Sequence, residues 1–188
     1  MSEAYSMISV KKKSDQAGRP SGKGMYIILF RWEDVATFTK DEKGVKVTAF
    51  NFVQGKKPIG VYATPSTINI YAASEGEDDA RGYIHHVDFE HPGTSLEFDE
   101  MMNANINANL GAIVMGCTGD DAKIAGSKCT PLQVVQDNSQ DNKEGNKNTV
   151  QLASSLRSGP LGRIAKNLIP VTDDEEVNTI LGLSGDGI

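Results

Sequence analysis

The chain has 188 residues, of which 38% are hydrophobic and 23% are charged, which fits one globular domain with a hydrophobic core and excludes the disordered and collagen-like classes. Its 25 acidic residues outnumber its 19 Lys and Arg residues and give a net charge of −6, which argues against tight binding to nucleic acid through the phosphates. The first residues lack the charged start and apolar centre of a signal peptide, and no stretch is apolar for long enough to span a bilayer. We therefore expect a protein that stays in the compartment where it is made, with no membrane partner.

The chain begins with a polar segment. Residues 1–24 are rich in Gly and Ser, include Lys11, Lys12 and Lys13 and offer little to bury, so we predict a flexible N-terminal arm. Residues 25–32 then form an unbroken apolar run of β-branched and aromatic side chains, which predicts a strand buried on both faces. Because this run has few of the charges that discourage edge pairing, we also expect its edge to serve assembly.

The next segments are predicted to be short strands. Residues 36–39 and 45–53 flank a polar turn and indicate a hairpin. Strands are also predicted at 58–63 and 67–73, on either side of a proline-containing turn. At 82–90 the side chains alternate, which predicts one packed and one solvated face; the packed face would carry Tyr83, His85, Val87 and Phe89.

Residues 96–110 fit two periods at once. Phe98, Met102, Ile106 and Leu110 recur every four residues, as in a helix, while apolar residues from 102 onward also alternate with asparagine, as in a strand. We favour a helix because residues 94–95 resemble an N-cap and Gly111 stands where a C-terminal glycine belongs. A strand is the alternative.

The rest of the chain is predicted to be β-rich until its C-terminal segment. Strands are expected at 112–117, 122–125, 131–136 and 149–152, with a turn at 119–121 and a long polar loop at 137–148. A short helix is expected at 173–181 and would end at Gly182.

The predicted fold is mainly β, a β-sandwich or half-barrel with one flanking helix and extended terminal arms. We predict that the chain consists of the flexible arm at 1–24, the β domain at 25–170 and an acidic C-terminal tail at 171–188.

The three histidines lie close together in the sequence. His85, His86 and His91, with Asp88 and Glu90, form a run of possible metal ligands. On a strand, however, His85 and His91 face one way and the other three face the opposite way, and two residues advance the chain by about 7 Å. A polar strand face is therefore the favoured interpretation, and a metal site is the alternative.

Other candidate motifs are weaker. Residues 137–142 alternate oxygen ligands as a calcium loop does, but the glycine and glutamate that such a loop needs are missing. The glycine-rich turns at 22–24 and 126–128 are interpreted as ordinary turns rather than phosphate sites. No nucleophile, Walker or dinucleotide motif is present, so we predict no enzyme activity, no catalytic residue and no cofactor. Cys117 and Cys129 lack zinc-ligand spacing and are interpreted as reduced, packed thiols.

The early apolar strand, the central strand at 82–90, the run Leu-Gly-Ala-Ile-Val-Met at 110–115 and the segment 124–132 follow one another in a characteristic order. This order resembles that of the tail-tube and tail-ring, or connector, proteins of bacteriophages. The resemblance covers about residues 25–170 and is one of pattern.

The resemblance implies a sandwich or half-barrel without catalytic residues that stacks as rings around the channel through which the genome passes. It implies a homo-oligomeric ring with neighbouring virion proteins as partners, DNA as a passing contact, and a place in the virion after assembly in the host cytoplasm. The acidic balance fits, because a weakly repulsive lining lets DNA slide. The arm and the loop at 137–148 would then bridge subunits.

Several alternatives stay open. A connector ring, a tube ring and a capsid-decorating protein share the same sequence features. A monomeric β-sandwich that binds a ligand is the second possibility, with an aromatic platform made by Trp32, Tyr62, Tyr71 and Tyr83. An enzyme built on the histidines is the least supported.

Overall fold

The computed structural model describes residues 7–118 and 122–184. In these ranges the chain is mainly β, as predicted, and its strands pair antiparallel. In chain order the elements are β1 (Lys23–Arg31), β2 (Val35–Lys40), β3 (Val47–Phe52), β4 (Ile59–Tyr62), β5 (Asn69–Glu75), β6 (Gly82–Pro92), α1 (Leu96–Asn105), β7 (Leu110–Gly116), β8 (Ala122–Ala125), β9 (Leu132–Asn142), β10 (Gly145–Ser154), β11 (Gly162–Ile164) and α2 (Glu175–Leu181).

Nine of the strands form one sheet that divides into two halves. The five-stranded half has the order β4-β1-β7-β8-β11, and the four-stranded half has the order β9-β10-β6-β5. A single pair of residues, Leu110 on β7 and Leu132 on β9, joins the halves. The remaining strands, β2 and β3, form the hairpin that the sequence predicts.

The first hydrophobic core lies between the two halves. It takes buried side chains from both, including Leu29 and Val114 from the five-stranded half and Val87 and Leu152 from the four-stranded half. The helix α1 adds Phe98 and Met102 to this core. The arrangement is the sandwich with one flanking helix that the sequence predicts.

Strand β1 is buried on both faces from Ile27 to Phe30, as predicted, but Met25, which belongs to the predicted run, is exposed. Ile27 and Leu29 belong to the first core, whereas Ile28 and Phe30 point into a second core on the opposite face. The strand pairs with β4 on one side and β7 on the other. The expectation that its edge serves assembly is therefore wrong, because both edges are already paired inside the sheet.

Strand β6 follows the predicted alternation from His85 onward. His85, Val87 and Phe89 are buried, and the side chains between them are partly exposed on the opposite face. Tyr83 departs from the prediction, because it is 38% exposed. It lies near the start of the strand, where its backbone N–H and carbonyl both bond to Ser158. The packed face of β6 therefore begins at His85.

The second core lies between the five-stranded half, the β2–β3 hairpin and the C-terminal segment. Aromatic rings fill much of it, with centroids 5.0 Å apart for Phe30 and Trp32 and 5.2 Å apart for Phe30 and Phe50. From α2, Val177 and Leu181 are buried in it. The C-terminal segment therefore packs onto the domain through its helix.

The predicted C-terminal helix is confirmed, but it begins at Glu175 rather than at residue 173 because Asp174 is its N-cap. The carboxylate of Asp174 accepts hydrogen bonds from the backbone N–H groups of Glu176 at 2.8 Å and Val177 at 3.3 Å. Gly182 ends the helix in the left-handed conformation, with φ 62°. This conformation favours glycine because glycine has no Cβ that would clash with the backbone.

Helix α1 is also confirmed, but it is shorter than predicted. Ser95 caps it by accepting a hydrogen bond from the N–H of Phe98 at 3.3 Å, and the helix ends at Asn105. Gly111 is therefore not its terminal glycine and lies in β7 instead. There a Cβ would stand 2.3 Å from the ring of Phe30, so the close approach of this ring explains the glycine.

The predicted polar loop at 137–148 is wrong. Its residues extend β9 and β10, which pair from Ser154 and Leu132 out to Gly145 and Asn142. The hairpin needs no alternating hydrophobic pattern here because most of these side chains are exposed and the backbone pairing holds the two strands together. The predicted turn at 119–121 lies outside the described residues.

Candidate assembly surface

The four-stranded half is open at both of its edges. Among the described strands, β5 pairs with β6 alone. On the other side, β9 pairs along its length with β10 and touches β7 through the single pair Leu110–Leu132. Among the described strands, most backbone groups on the outer sides of β9 and β5 therefore have no partner strand, and edges of this kind can pair with another chain.

The directions of the strands suit repeated pairing. Each neighbouring pair in the order β9-β10-β6-β5 is antiparallel, so β5 runs antiparallel to β9. If β5 of one copy lies beside β9 of the next, the sheet continues as an antiparallel sheet without a break. Such a head-to-tail contact is heterologous and produces a ring or a filament.

Both open edges expose apolar side chains. Val135 on β9 is 65% exposed, and Tyr71 on β5 is 40% exposed. Val135 lies where the register between β9 and β10 shifts, at a bulge. The nearby acidic side chains, Asp137 and Glu75, are exposed as well, so pairing of these edges would be favoured by salt, which screens the repulsion between like charges.

The outer face of the four-stranded half is polar. One row across the sheet runs through Gln136, Gln151, Asp88 and Asn69, which pair in that order from β9 to β5. Burial is the main effect on Asp88 and raises the pKa of its carboxyl, while His86 and a hydrogen bond from Asn69 act in the opposite direction. The row therefore consists of three amides and one carboxyl.

One ion pair lies on this outer face. Glu90 accepts a hydrogen bond from the ammonium of Lys147 at 2.7 Å. The ring of His86 stacks on Tyr71 with centroids 4.6 Å apart and planes 9° apart. The face therefore presents amides, an ion pair and stacked rings rather than a concentrated positive charge.

The histidine run divides between the two faces of β6, as the strand geometry predicts. His91 faces inward, where its Nδ1 lies 2.9 Å from the carbonyl oxygen of Tyr62 and its ring stacks on Phe98 at 4.3 Å. His86 lies on the outer face beside Tyr71. Among the described residues, no group of three or more His, Cys, Asp or Glu side chains converges in a way that could hold a metal ion.

His85 is buried and joins two loops. Its Nδ1 accepts a hydrogen bond from the N–H of Gly126 at 2.9 Å, and its Nε2 lies 2.9 Å from the carbonyl oxygen of Gly159. These contacts require the neutral ring with its proton on Nε2. Desolvation by burial is the main reason why the pKa of His85 is lowered.

The two glycine-rich turns use their backbone groups within the fold. The N–H of Gly126 donates to His85, and the N–H of Ser127 donates to the carbonyl oxygen of Thr130 at 3.0 Å. At the other turn, the carbonyl oxygen of Gly22 accepts a hydrogen bond from the N–H of Cys117 at 3.1 Å. The N–H groups of Gly126 and Ser127 are therefore not free to bind a phosphate.

Two sequence interpretations are corrected by the exposure of side chains. Cys117 and Cys129 are free thiols, but both are exposed rather than packed, because each lies in a loop beyond the end of a strand. Trp32 is 2% exposed and belongs to the second core. It is therefore separated from Tyr71 on the outer face, and the predicted aromatic platform does not form.

Comparison with protein-family models, curated proteins and solved structures gave no match to this chain. Among the described residues, no helix has the length and apolar character that crossing a membrane requires.

Proposed function

We propose that this protein is a structural subunit of a phage virion that assembles into a ring or tube of the tail or connector around the DNA channel. The observation that carries the proposal is the four-stranded half, which is open at both edges and has the strand directions that head-to-tail pairing requires. The order of the elements along the chain, which resembles the tail-tube and tail-ring proteins, supports the same assignment.

The outer face of the four-stranded half is the surface that we assign to the channel. If copies pair edge to edge, this face forms one side of a closed sheet, and the first core and the five-stranded half form the other. Its acidic residues Asp88 and Glu90 outnumber Lys147, so the wall would repel the phosphates of passing DNA weakly and would not hold them. DNA is then a transient contact and not a bound ligand.

The spacing of the strands sets the circumference that each copy adds to the ring. Four strands spaced at about 4.8 Å contribute about 19 Å of circumference for each copy, before any tilt of the strands is included. The diameter of the channel seen by negative-stain electron microscopy therefore gives the number of copies, and this number must agree with the mass found by light scattering.

The experiment compares the wild-type protein with Val135→Lys and Leu156→Lys. Val135 lies on the open edge of β9, whereas Leu156 lies outside the four strands, and the two side chains are similarly exposed at 65% and 61%. A lysine on an edge strand discourages pairing with another strand. We expect the wild type and Leu156→Lys to form large species at high concentration, and Val135→Lys to remain monomeric.

Two results would count against the proposal. Light scattering that finds a monomer at every concentration, with no large species in stained images, favours the monomeric ligand-binding alternative. Assembly of Val135→Lys that equals that of Leu156→Lys would show that the edge of β9 is not the contact.

A further inference from the structure

A pocket with an apolar interior opens between β1, β4 and α1. It has a volume of about 170 Å³. Its inner wall consists of side chains of the first core, which are Leu29, Met102, Leu110, Val150 and Leu152. An apolar cavity of about 150 Å³ holds a molecule of benzene, so the interior has room for one hydrocarbon tail of about six carbons.

The open side of the pocket is polar. It is lined by Arg31, Asp34, Lys57 and Asn105. The side chains of Arg31 and Asp34 are 39% and 22% exposed, and Lys57 is exposed as well, whereas the apolar residues of the inner wall are buried. A pocket that is apolar inside and carries a few polar groups at its opening suits a ligand with an apolar tail and one polar head.

The guanidinium of Arg31 is held at this opening by the end of α1. Its Nε donates to the side-chain oxygen of Asn105 at 2.8 Å, and its Nη2 donates to the carbonyl oxygen of Ala104 at 3.2 Å. Its Nη1 lies 3.4 Å from a carboxylate oxygen of Glu33, whose side chain is 71% exposed. Such an exposed ion pair is weak, so Nη1 is the donor that Arg31 can offer to a bound anion.

The second cation at the opening has no counter-charge. Within residues 7–118 and 122–184, the ammonium of Lys57 forms no ion pair or hydrogen bond. The acidic side chain in the lining, Asp34, already pairs with Lys56 at 3.3 Å. The charge left over at the opening is therefore positive, which favours a negatively charged head group.

We propose that this pocket binds a small aliphatic monocarboxylate. The tail lies among Leu29, Met102 and Leu152, and the carboxylate accepts hydrogen bonds from Nη1 of Arg31 and from Lys57. Hydrogen bonds between these cations and a carboxylate are stronger than those between neutral groups. This inference goes beyond the proposed ring, because the pocket uses neither of the open edges on β5 and β9.

The test measures binding of straight-chain carboxylates, from pentanoate to decanoate, to the full-length protein by isothermal titration calorimetry at neutral pH, where the acids are ionised. We expect the affinity to rise about fourfold for each added CH₂ group until the tail reaches about six carbons and fills the pocket. Longer tails should add little. Heptan-1-ol, which has a similar tail and no charge, should bind about tenfold more weakly than heptanoate or worse.

Two lysines provide a matched pair of variants. Lys57→Gln should weaken the binding of heptanoate about threefold or more and leave that of heptan-1-ol unchanged. Lys143→Gln removes the same charge from an exposed position in the turn between β9 and β10 and should bind both ligands as the wild type does. Both positions are exposed, so neither change should disturb the fold.

A third variant tests where the tail lies. Met101 lines the pocket from α1 and is partly buried, so Met101→Trp should fill the space and abolish binding of both ligands. Thermal unfolding followed by circular dichroism establishes that this variant is folded. Unchanged binding to the folded variant would overturn the inference.

The other results that would overturn it come from the ligands and the lysines. These are no saturable binding of any of the acids, equal affinities for heptanoate and heptan-1-ol, and equal effects of Lys57→Gln and Lys143→Gln. Affinity that rises at the same rate up to decanoate would indicate adsorption to an exposed apolar surface, which also overturns it. Ring formation is followed separately by light scattering, so either proposal can fail while the other stands.

Discussion

The substitution His85→Leu tests how much one buried histidine contributes to the fold. His85 is 2% exposed and accepts a hydrogen bond from the buried N–H of Gly126 at 2.9 Å. Leucine has a similar volume but no acceptor, so this N–H loses its partner, at a cost of about 1–3 kcal/mol. The carbonyl of Gly159 belongs to an exposed residue, where water replaces the lost donor at little cost.

We therefore expect His85→Leu to lower the free energy of unfolding by about 2 kcal/mol. The assay is urea denaturation followed by the fluorescence of Trp32, the one tryptophan of the chain, which is buried. His86→Leu is the matched control, because His86 lies on the outer face of the same strand and surface changes are worth about 0.5 kcal/mol or less. Equal stability of the two variants would refute the role assigned to His85.

The same residue makes stability depend on pH. Because burial lowers the pKa of His85 in the folded state, the unfolded chain binds more protons once the pH falls below about 6.5. Stability due to this group is present above that pH and is lost as the pH falls through the folded pKa, by at most about 1.4 kcal/mol per pH unit. His85→Leu should show a shallower decline than the wild type, and parallel curves would contradict the assignment.

Two further substitutions test local packing and capping. Gly111→Ala places a Cβ 2.3 Å from the ring of Phe30, so we expect it to lower the free energy of unfolding by about 1–3 kcal/mol. Gly159→Ala is the control, because no atom lies within 4 Å of the Cβ added there. Equal melting temperatures of the two variants would disprove the close contact. Asp174→Ala removes the acceptor for the N–H groups of Glu176 and Val177 and should lower the free energy of unfolding by about 1 kcal/mol. Asp174→Asn should keep most of that stability, and a loss as large as that of the alanine variant would contradict the role of the cap.

Local signals in the sequence predict much of the fold. The apolar run of β1 requires burial on both faces, and the two cores provide it. The alternation along β6 places His85 inward and His86 outward, because successive side chains of a strand point to opposite faces. The acidic start of α2 and Gly182 define that helix because capping depends on neighbouring residues alone.

The parts that local signals miss depend on contacts between distant residues. The outer ends of β9 and β10 are polar on both faces, so no hydrophobic period distinguishes this hairpin from a loop. Helix α1 ends at Asn105 because β7 must begin at Leu110 to pair with β1 and β9. The open edges follow from the order β9-β10-β6-β5, which no single segment of the sequence contains.

Hydrogen–deuterium exchange in β5 and β9, measured on dilute and on concentrated protein, tests most directly whether these edges pair between copies. Edge pairing predicts that amides in both strands exchange more slowly in the concentrated, assembled sample, while amides in β4 and β11 at the ends of the five-stranded half exchange at unchanged rates. Unchanged exchange in β5 and β9 in a sample that contains large assemblies would contradict edge pairing as the basis of the ring.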